Sequence, residues 1–536
     1  VLGSERARRR ASSIGVALGC AACFLGALLL TRGVTPFPPD AAHNAMVARS
    51  LARGEGFTLE ILEYHFGRVR EVEHVAEMHG ILQPIALAGL FTALGEERSL
   101  SPVPGFAYVA LTGWVAFVYA RRRFGGPAGL VACLLTLGSA VLWFWAWFGT
   151  DDAGFAFWFL LAIFALDLAR EERTELHFAL AGLAAAAALL QKQSGLVLLA
   201  PMLGVVAGAT GVPVRIRLRW AAIWAAPWAL ALACYLARNL AASGQWMFRF
   251  GSIDWIYKSR GLEAFFAVHD ETPALSEVLR SLGVEGVASI VSSQLDDFAR
   301  VALSFTPALR ADPLDRLMSP AFLAPLGFAA LALHAWRCPG FAGLVALSIA
   351  ASVAFVCGLW HFELRFFTPL IPLLAIALAG ALAPGAAARR THALRRIETA
   401  TTCIGFGVAA LSVGLFTRSL AAIPIFAAAP PCEGGLAWIR RETAPSDRIL
   451  SFDPWAAAWV GERAAIVIPS GPRRDVEKVV RWYRPGWLVL QPVVARNDRT
   501  IREMVANPSA GFATSLAYAD RECSVHRIVS STSDTP

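Results

Sequence analysis

The stretch "VTPFPPDAAHNAMVARSLARGEGF", residues 34–57, follows an apolar run at residues 14–31 and carries a carboxylate, Asp40, directly after two prolines. How this stretch is read decides the fold. The run before it is long enough to cross a bilayer, which takes about 20 apolar residues. The prolines end that run, and Asp40 then marks the point where the chain enters water. The seven residues that precede the run, "SERARRR" (4–10), are basic, and Lys/Arg bias keeps such segments in the cytoplasm. Asp40 is therefore expected outside, and residues 14–31 are read as a retained first span rather than a cleaved signal peptide.

Composition supports a polytopic membrane protein. Of 536 residues, 56% are hydrophobic and only 16% charged, far more apolar than a soluble globular chain requires. The formal net charge of +8 resides in short clusters between apolar runs, the pattern of cytoplasmic loops, and excludes nucleic acid as a partner. Of the nine cysteines, Cys20 and Cys23 stand at CxxC spacing, but inside an apolar run where cysteines act as small hydrophobes rather than as a metal site. Cys432 and Cys523 fall in the extracytoplasmic part, where they can pair or stay as buried thiols.

Working outward with the same rule, residues 80–94 are short, contain Pro84, and read as an interfacial helix. Spans follow at 103–120, 127–147, 153–169, 177–192, 195–210, 219–237, 319–336, 341–359, 367–384 and 400–418, with "ARRRFGG", "AREER", "RIRLR", "WRCPG" and "ARRTHALRR" as inner turns. That makes about eleven transmembrane helices. The expected domains are a transmembrane unit, 1–418, with a first outer loop at 32–102 and a long, partly helical outer loop at 238–317, and an extracytoplasmic domain, 419–536. In the latter, "DRILSF", "AAIVIP", "GWLVLQP" and "CSVHRIV" alternate with helix-like "RRDVEKVVRWY", as in a small α/β domain. The fold class is all-α polytopic with a small C-terminal α/β domain.

This topology gathers costly ionisable groups on one face: Asp40, Asp151 and Asp152 in "GTDDAGF", Lys192 in "LLQKQSG", and His361, Glu363 and Arg365 in "HFELRFFTPLIP". Cations there suit a lipid phosphate, and a carboxylate suits proton removal from an acceptor hydroxyl. Asp40 has a plainer reading as the N-cap of a helix beginning at Ala41, which itself reads as interfacial. His79 is a candidate substrate contact. Glu77, His74 and His79 resemble a metal cluster, but the two histidines lie five apart and share no helix face. "WFWAW" (143–147) reads as an interfacial aromatic belt, with sugar stacking as the sharper alternative.

The order of "LARGEGF" after Asp40, "LFTALGE", "YARRRFGG", "TDD", "ALLQKQSGLVLLAPM" and "LRFFTPLIPLLAIAL" resembles the C-type glycosyltransferase superfamily (GT-C fold) across residues 14 to about 385. Within it, the order is most similar to glycosyltransferase family 39, which includes protein O-mannosyltransferases and lipid A aminoarabinose transferases. The resemblance implies a polyprenyl-phosphate sugar donor, Asp40 as catalytic base, Asp151 or Asp152 as a second acid, and Lys192 and Arg365 as phosphate contacts. It implies a hexosyl- or pentosyltransferase acting on a glycan, lipid or protein acceptor. It names no cofactor with certainty and admits a divalent metal. Three positions depart from the family pattern: Ala41 after the first acid, Gln83 before Pro84, and Phe366 where a tyrosine is usual. The rival functions are a transporter or flippase of lipid-linked sugars, and a polysaccharide polymerase or ligase. The first would place charges near span centres and show internal repeats.

Overall fold

The computed structural model describes residues 2–31, 38–66, 71–76, 80–243, 249–271, 274–303, 323–358, 363–382, 432–491, 498–509 and 512–529. The expected span at 400–418, the domain boundary at 419, and the candidates Glu77, His79 and His361 lie outside the described residues.

The membrane part is a succession of helices: α1 (Leu2–Leu30), α2 (Pro39–Ala52), α3 (Leu82–Leu94), α4 (Val103–Phe124), α5 (Gly126–Leu137), α6 (Ala140–Trp147), α7 (Asp152–Glu172), α8 (Glu175–Gln191), α9 (Leu199–Gly208) and α10 (Val214–Ser243). The long outer segment folds as α11 (Arg249–Arg260), α12 (Leu262–Phe265) and α13 (Leu275–Leu303), the last kinked at Gly283, φ 67°. Then come α14 (Leu323–Arg337), α15 (Pro339–Gly358) and α16 (Leu370–Leu382). The described part of each expected span before residue 400 is thus helical, that at 127–147 being divided between two helices.

Their lengths correct the expectation of uniform spans. Among the described residues four helices are long and apolar enough to cross a membrane, α4 with its preceding turn, α7, α10 and α15, or five if a bent pair counts as one. That pair is α5 and α6, expected as a single straight span and bent instead by 47°. The 17-residue α8 reaches only about 25 Å, short of a core about 30 Å thick. Helices pack around a shared core to which Phe155, Phe159, Phe178, Trp224 and Leu373 contribute, all buried. Close crossings use small residues. A Cβ on Gly182 of α8 would fall 2.3 Å from the Trp224 carbonyl oxygen of α10.

Beyond the helices lies a six-stranded sheet, order β2-β5-β4-β6-β8-β7. Five strands come from the C-terminal part: β4 (Ile449–Ser451), β5 (Ala465–Val467), β6 (Trp487–Leu490), β7 (Ala513–Ala519) and β8 (Ser524–Val529). Four of these match the quoted runs; β7 was not anticipated. The sixth, β2 (Ile61–Leu62), comes from the first outer loop and pairs in parallel with β5, Ile61 opposite Ala465. A separate small ladder joins β1 (Thr58–Leu59) to β3 (His74–Val75). Helices α17 (Glu433–Glu442), α18 (Pro454–Gly461), α19 (Arg473–Tyr483) and α20 (Asp498–Ala506) flank the sheet. The expected helical run "RRDVEKVVRWY" coincides with α19. Cys432 and Cys523 are disulfide-bonded, so the pairing alternative holds.

The first outer loop also packs on both neighbours. Met46, Val47, Leu59 and Ile61 share one core with Leu436, Ile439, Ala457 and Val525. Tyr64 and Phe66 share another with Trp255 and Val278 of the long outer segment. Helix α2 is consequently buried from Ala41 to Ser50 and is not the half-solvated interfacial helix its sequence suggests. Arg49, 5% exposed, donates to the carbonyls of Ala458 (3.2 Å) and Trp459 (3.3 Å) at the end of α18.

Candidate active site

Pro39 occupies the first turn of α2, where a missing N–H costs nothing, and Pro38 is its N-cap. Asp40 therefore lies inside the first turn and not at the N-cap position, which corrects the N-cap reading. Its carboxylate instead accepts from the Arg365 guanidinium. Arg365 lies on a one-turn 3-10 helix, Leu364–Phe367, that leads into α16. It also forms an ion pair with Glu363 and stacks over Trp145 and Phe366, 5.3 Å from each ring centroid. Burial opposes its charge, yet Asp40, Glu363 and Asp152 hold the guanidinium protonated well beyond its ordinary range.

The second half of the site comes from the ends of two antiparallel helices. Asp151 is the N-cap position of α7 and Asp152 its first residue, where a carboxylate complements the helix dipole. Lys192 caps the C-terminal end of α8 in an extended conformation, φ −157°. Its ammonium bonds the Asp152 carboxylate and lies 4.6 Å from the Phe366 ring centroid. Phe366 thus has a cation over it from each half of the site. Asp152 is completely buried. Its second oxygen, Oδ2, has no hydrogen-bond partner among the described residues.

An amide pair closes the back of this arrangement. Gln191 Nε2 donates to the Asp151 carbonyl (3.3 Å) and to Gln83 Oε1 (3.4 Å). The approach of α3 to α8 depends on Gly80, where a Cβ would fall 2.0 Å from the Gln191 carbonyl oxygen.

Asp40, Asp152, Lys192, Glu363 and Arg365, from four separate segments, accordingly meet. Asp151 is buried beside them and engages Gln191 through its backbone. Sequence reasoning missed Phe366, Trp145, Gln83 and Gln191 as parts of the site; the departures at Gln83 and Phe366 were the available signal. The aromatic run is not a belt: Trp143 and Trp147 are buried in the helix core, and Trp145 lies under Arg365. His74 bonds the Val72 carbonyl (2.9 Å), and among the described residues no three His, Cys, Asp or Glu side chains converge as metal ligands.

Comparison with known proteins matches residues 82–237 to the family described as dolichyl-phosphate-mannose-protein mannosyltransferase. No curated protein matches the chain in sequence. Among solved structures, ArnT from Cupriavidus metallidurans in the apo state superposes with TM-score 0.60 at 12% identity, covering 98% of this chain and 99% of that one. The same ArnT bound to undecaprenyl phosphate gives TM-score 0.57 at 13% identity, over 98% and 99% of the two chains. The archaeal oligosaccharyltransferase AglB from Archaeoglobus fulgidus, in complex with an inhibitory peptide and a dolichol-phosphate, gives 0.55 at 14% identity, over 96% of this chain and 75% of that one. The chain has the fold of the C-type membrane glycosyltransferases and, across residues 82–237, is similar in sequence to the dolichyl-phosphate-mannose-protein mannosyltransferase family.

Proposed function

We propose that the protein is an integral membrane glycosyltransferase that moves one sugar from a polyprenyl-phosphate donor to an acceptor hydroxyl on the extracytoplasmic face. The supporting observation is the meeting of two carboxylate–cation pairs, Asp40 with Arg365 and Asp152 with Lys192, at one end of the helices of a C-type fold. The ArnT and AglB structures that share this fold hold undecaprenyl phosphate and dolichol-phosphate, which supports the donor class.

In this reading the acceptor oxygen attacks the anomeric carbon as the carbon–oxygen bond to phosphate breaks. The hydroxyl proton passes to Asp40, and the electron pair leaves with the polyprenyl phosphate. The phosphate gains negative charge as it departs, and Arg365 and Lys192 stand where a fixed positive field lowers the cost of that charge. Arg365 offers a planar fork and Lys192 a point charge. Asp152 holds Lys192 in place, while both cations lie against the Phe366 ring, Lys192 at 4.6 Å and Arg365 at 5.3 Å from its centroid. Single displacement inverts the configuration of the sugar. Domain placement follows the same scheme: the membrane unit carries the chemistry, and the sheet domain stands over the first outer loop outside the membrane.

The test is transfer of radiolabelled sugar from polyprenyl-phosphate donors in membranes carrying the protein or its Asp40→Asn variant. Loss of at least about a hundredfold in rate with intact protein is expected, the scale of general-base removal. Undiminished transfer would remove Asp40 as the base, and donor uptake without glycosylated product would replace the enzyme with a transporter.

A further inference from the structure

At the other end of α7 the chain forms a cavity of about 390 Å³, within the range of small-molecule sites of roughly 300–1,000 Å³. The 21 residues of α7 put it about 30 Å from Asp152, so it is separate from the carboxylate–cation cluster. Its polar wall is made by Arg170 and Arg173. Arg170 is already committed to Asp167, Nη2 to Oδ1 at 2.8 Å. Arg173 is exposed, and while its backbone N–H donates to the Ala169 carbonyl at 2.9 Å, its side chain makes no hydrogen bond or ion pair to any described residue. It ends α7 in the left-handed region, φ 53°, a conformation that costs a non-glycine residue about 1–2 kcal/mol. The opposite wall is apolar. Phe178 and Trp220 stack at 4.9 Å between centroids, and Leu344 and Leu347 continue the surface. Leu347 is itself 36% exposed, and Leu203, next in sequence to the lining Gly204, is 54% exposed, which supplies apolar surface suited to acyl chains.

We propose that this cavity holds the phosphate headgroup of an anionic membrane phospholipid, with Arg173 as its principal contact. A basic pocket between helix ends at the membrane boundary is suited to such headgroups. An unspent guanidinium discriminates against neutral lipids, and the adjoining leucines discriminate against a soluble anion. The first turn of α15, with Pro339 and Gly340 in the cavity wall, directs its positive end to the same place. This site is independent of the sugar-transfer reading.

Native mass spectrometry of the full chain in neutral detergent, titrated with phosphatidylglycerol, phosphatidylcholine or inorganic phosphate, tests it. Phosphatidylglycerol should bind at least about tenfold more tightly than phosphatidylcholine. Arg173→Gln should abolish that preference. Gly343→Leu should block binding by filling the cavity, since nothing lies within 4 Å of a Cβ at Gly343. Thermal melting of both variants reports whether the fold is kept. Equal binding of the two lipids, retention of phosphatidylglycerol in both folded variants, or binding of inorganic phosphate without lipid preference would each overturn the proposal.

Discussion

Asp40 and Asp152 each face a cation, but their surroundings differ: the Asp40 side chain is 24% exposed and that of Asp152 is 0%. Removing one partner of a buried pair strands the other, at a cost of about 3–5 kcal/mol, whereas loss of the Asp40 charge still leaves Arg365 paired with Glu363. Asp152→Asn should therefore lower the melting temperature in detergent far more than Asp40→Asn, while Asp40→Asn should show the larger loss of transfer at a temperature where both are folded. Equal melting shifts would contradict this division. The five ionisable members Asp40, Asp152, Lys192, Glu363 and Arg365 were legible in the sequence because a charge at the end of an apolar run is expensive and stands out. Phe366 and Trp145 were not, because an aromatic ring inside an apolar run looks the same whether it packs a core or carries a cation. Gln83 and Gln191 were hidden for a related reason: a neutral amide next to a span is common, and only their approach across Gly80 gives them a joint role.

Helix α2 shows how an element's surroundings can reverse its apparent character. Its sequence alternates apolar residues with Arg49 and Arg53, which suits a helix with one wet face. Arg53 does stay in the open, donating to Glu96 at 2.8 Å. Arg49 instead serves carbonyls that α18 leaves unsatisfied at its end, and lies 4.8 Å from the Trp459 ring centroid. Those partners are roughly 400 residues away in the chain, so no local pattern could announce them. Arg49→Ala should cost about 1–3 kcal/mol by orphaning the Ala458 and Trp459 carbonyls. It should also speed proteolysis of the 432–529 segment, measured by limited trypsin digestion of the protein in detergent. Digestion at the unaltered rate would show that the apolar core shared with α2 holds the segment alone. The bent α5–α6 pair has the opposite lesson: Gly138 and Ser139 at the break are visible as poor helix formers, but span counting by length passed over them.

At the scale of the molecule, the segment that carries β1 to β3 is gripped by both the α11–α13 segment and the C-terminal sheet, and His65 marks the joint. Its Nε2 donates to the Val467 carbonyl at 2.8 Å, and its backbone carbonyl accepts from the His269 N–H at 2.8 Å. Burial pushes the imidazole from its ordinary 6.5 down to about 4, although the Val467 carbonyl pulls the other way. The unfolded chain then binds the proton more readily than the folded one between those values. The neutral joint is at full strength above pH 6.5 and weakens as pH falls toward 4, by roughly 3 kcal/mol in all. Melting temperatures taken from pH 7 to pH 4.5 should fall, and His65→Gln should flatten that slope; an unchanged slope would exclude His65 as the titrating group. The membrane helices and the alternation of the C-terminal part were readable because each repeats a local period. The strand β2 was not, since two residues carry no period and its partner is supplied by another part of the chain. That pairing also sets a clock. Ile61 leaves the ribosome roughly 400 residues before Ala465, which at about 5–20 residues per second is some tens of seconds of synthesis. For that interval α2, with Asp40 at its start, lacks the C-terminal residues that share its core, Val489 and Val525 among them, until the last tenth or so of the chain has arrived. A nascent or truncated chain that ends before β5 would then present Met46 and Val47 of α2 without their C-terminal packing partners.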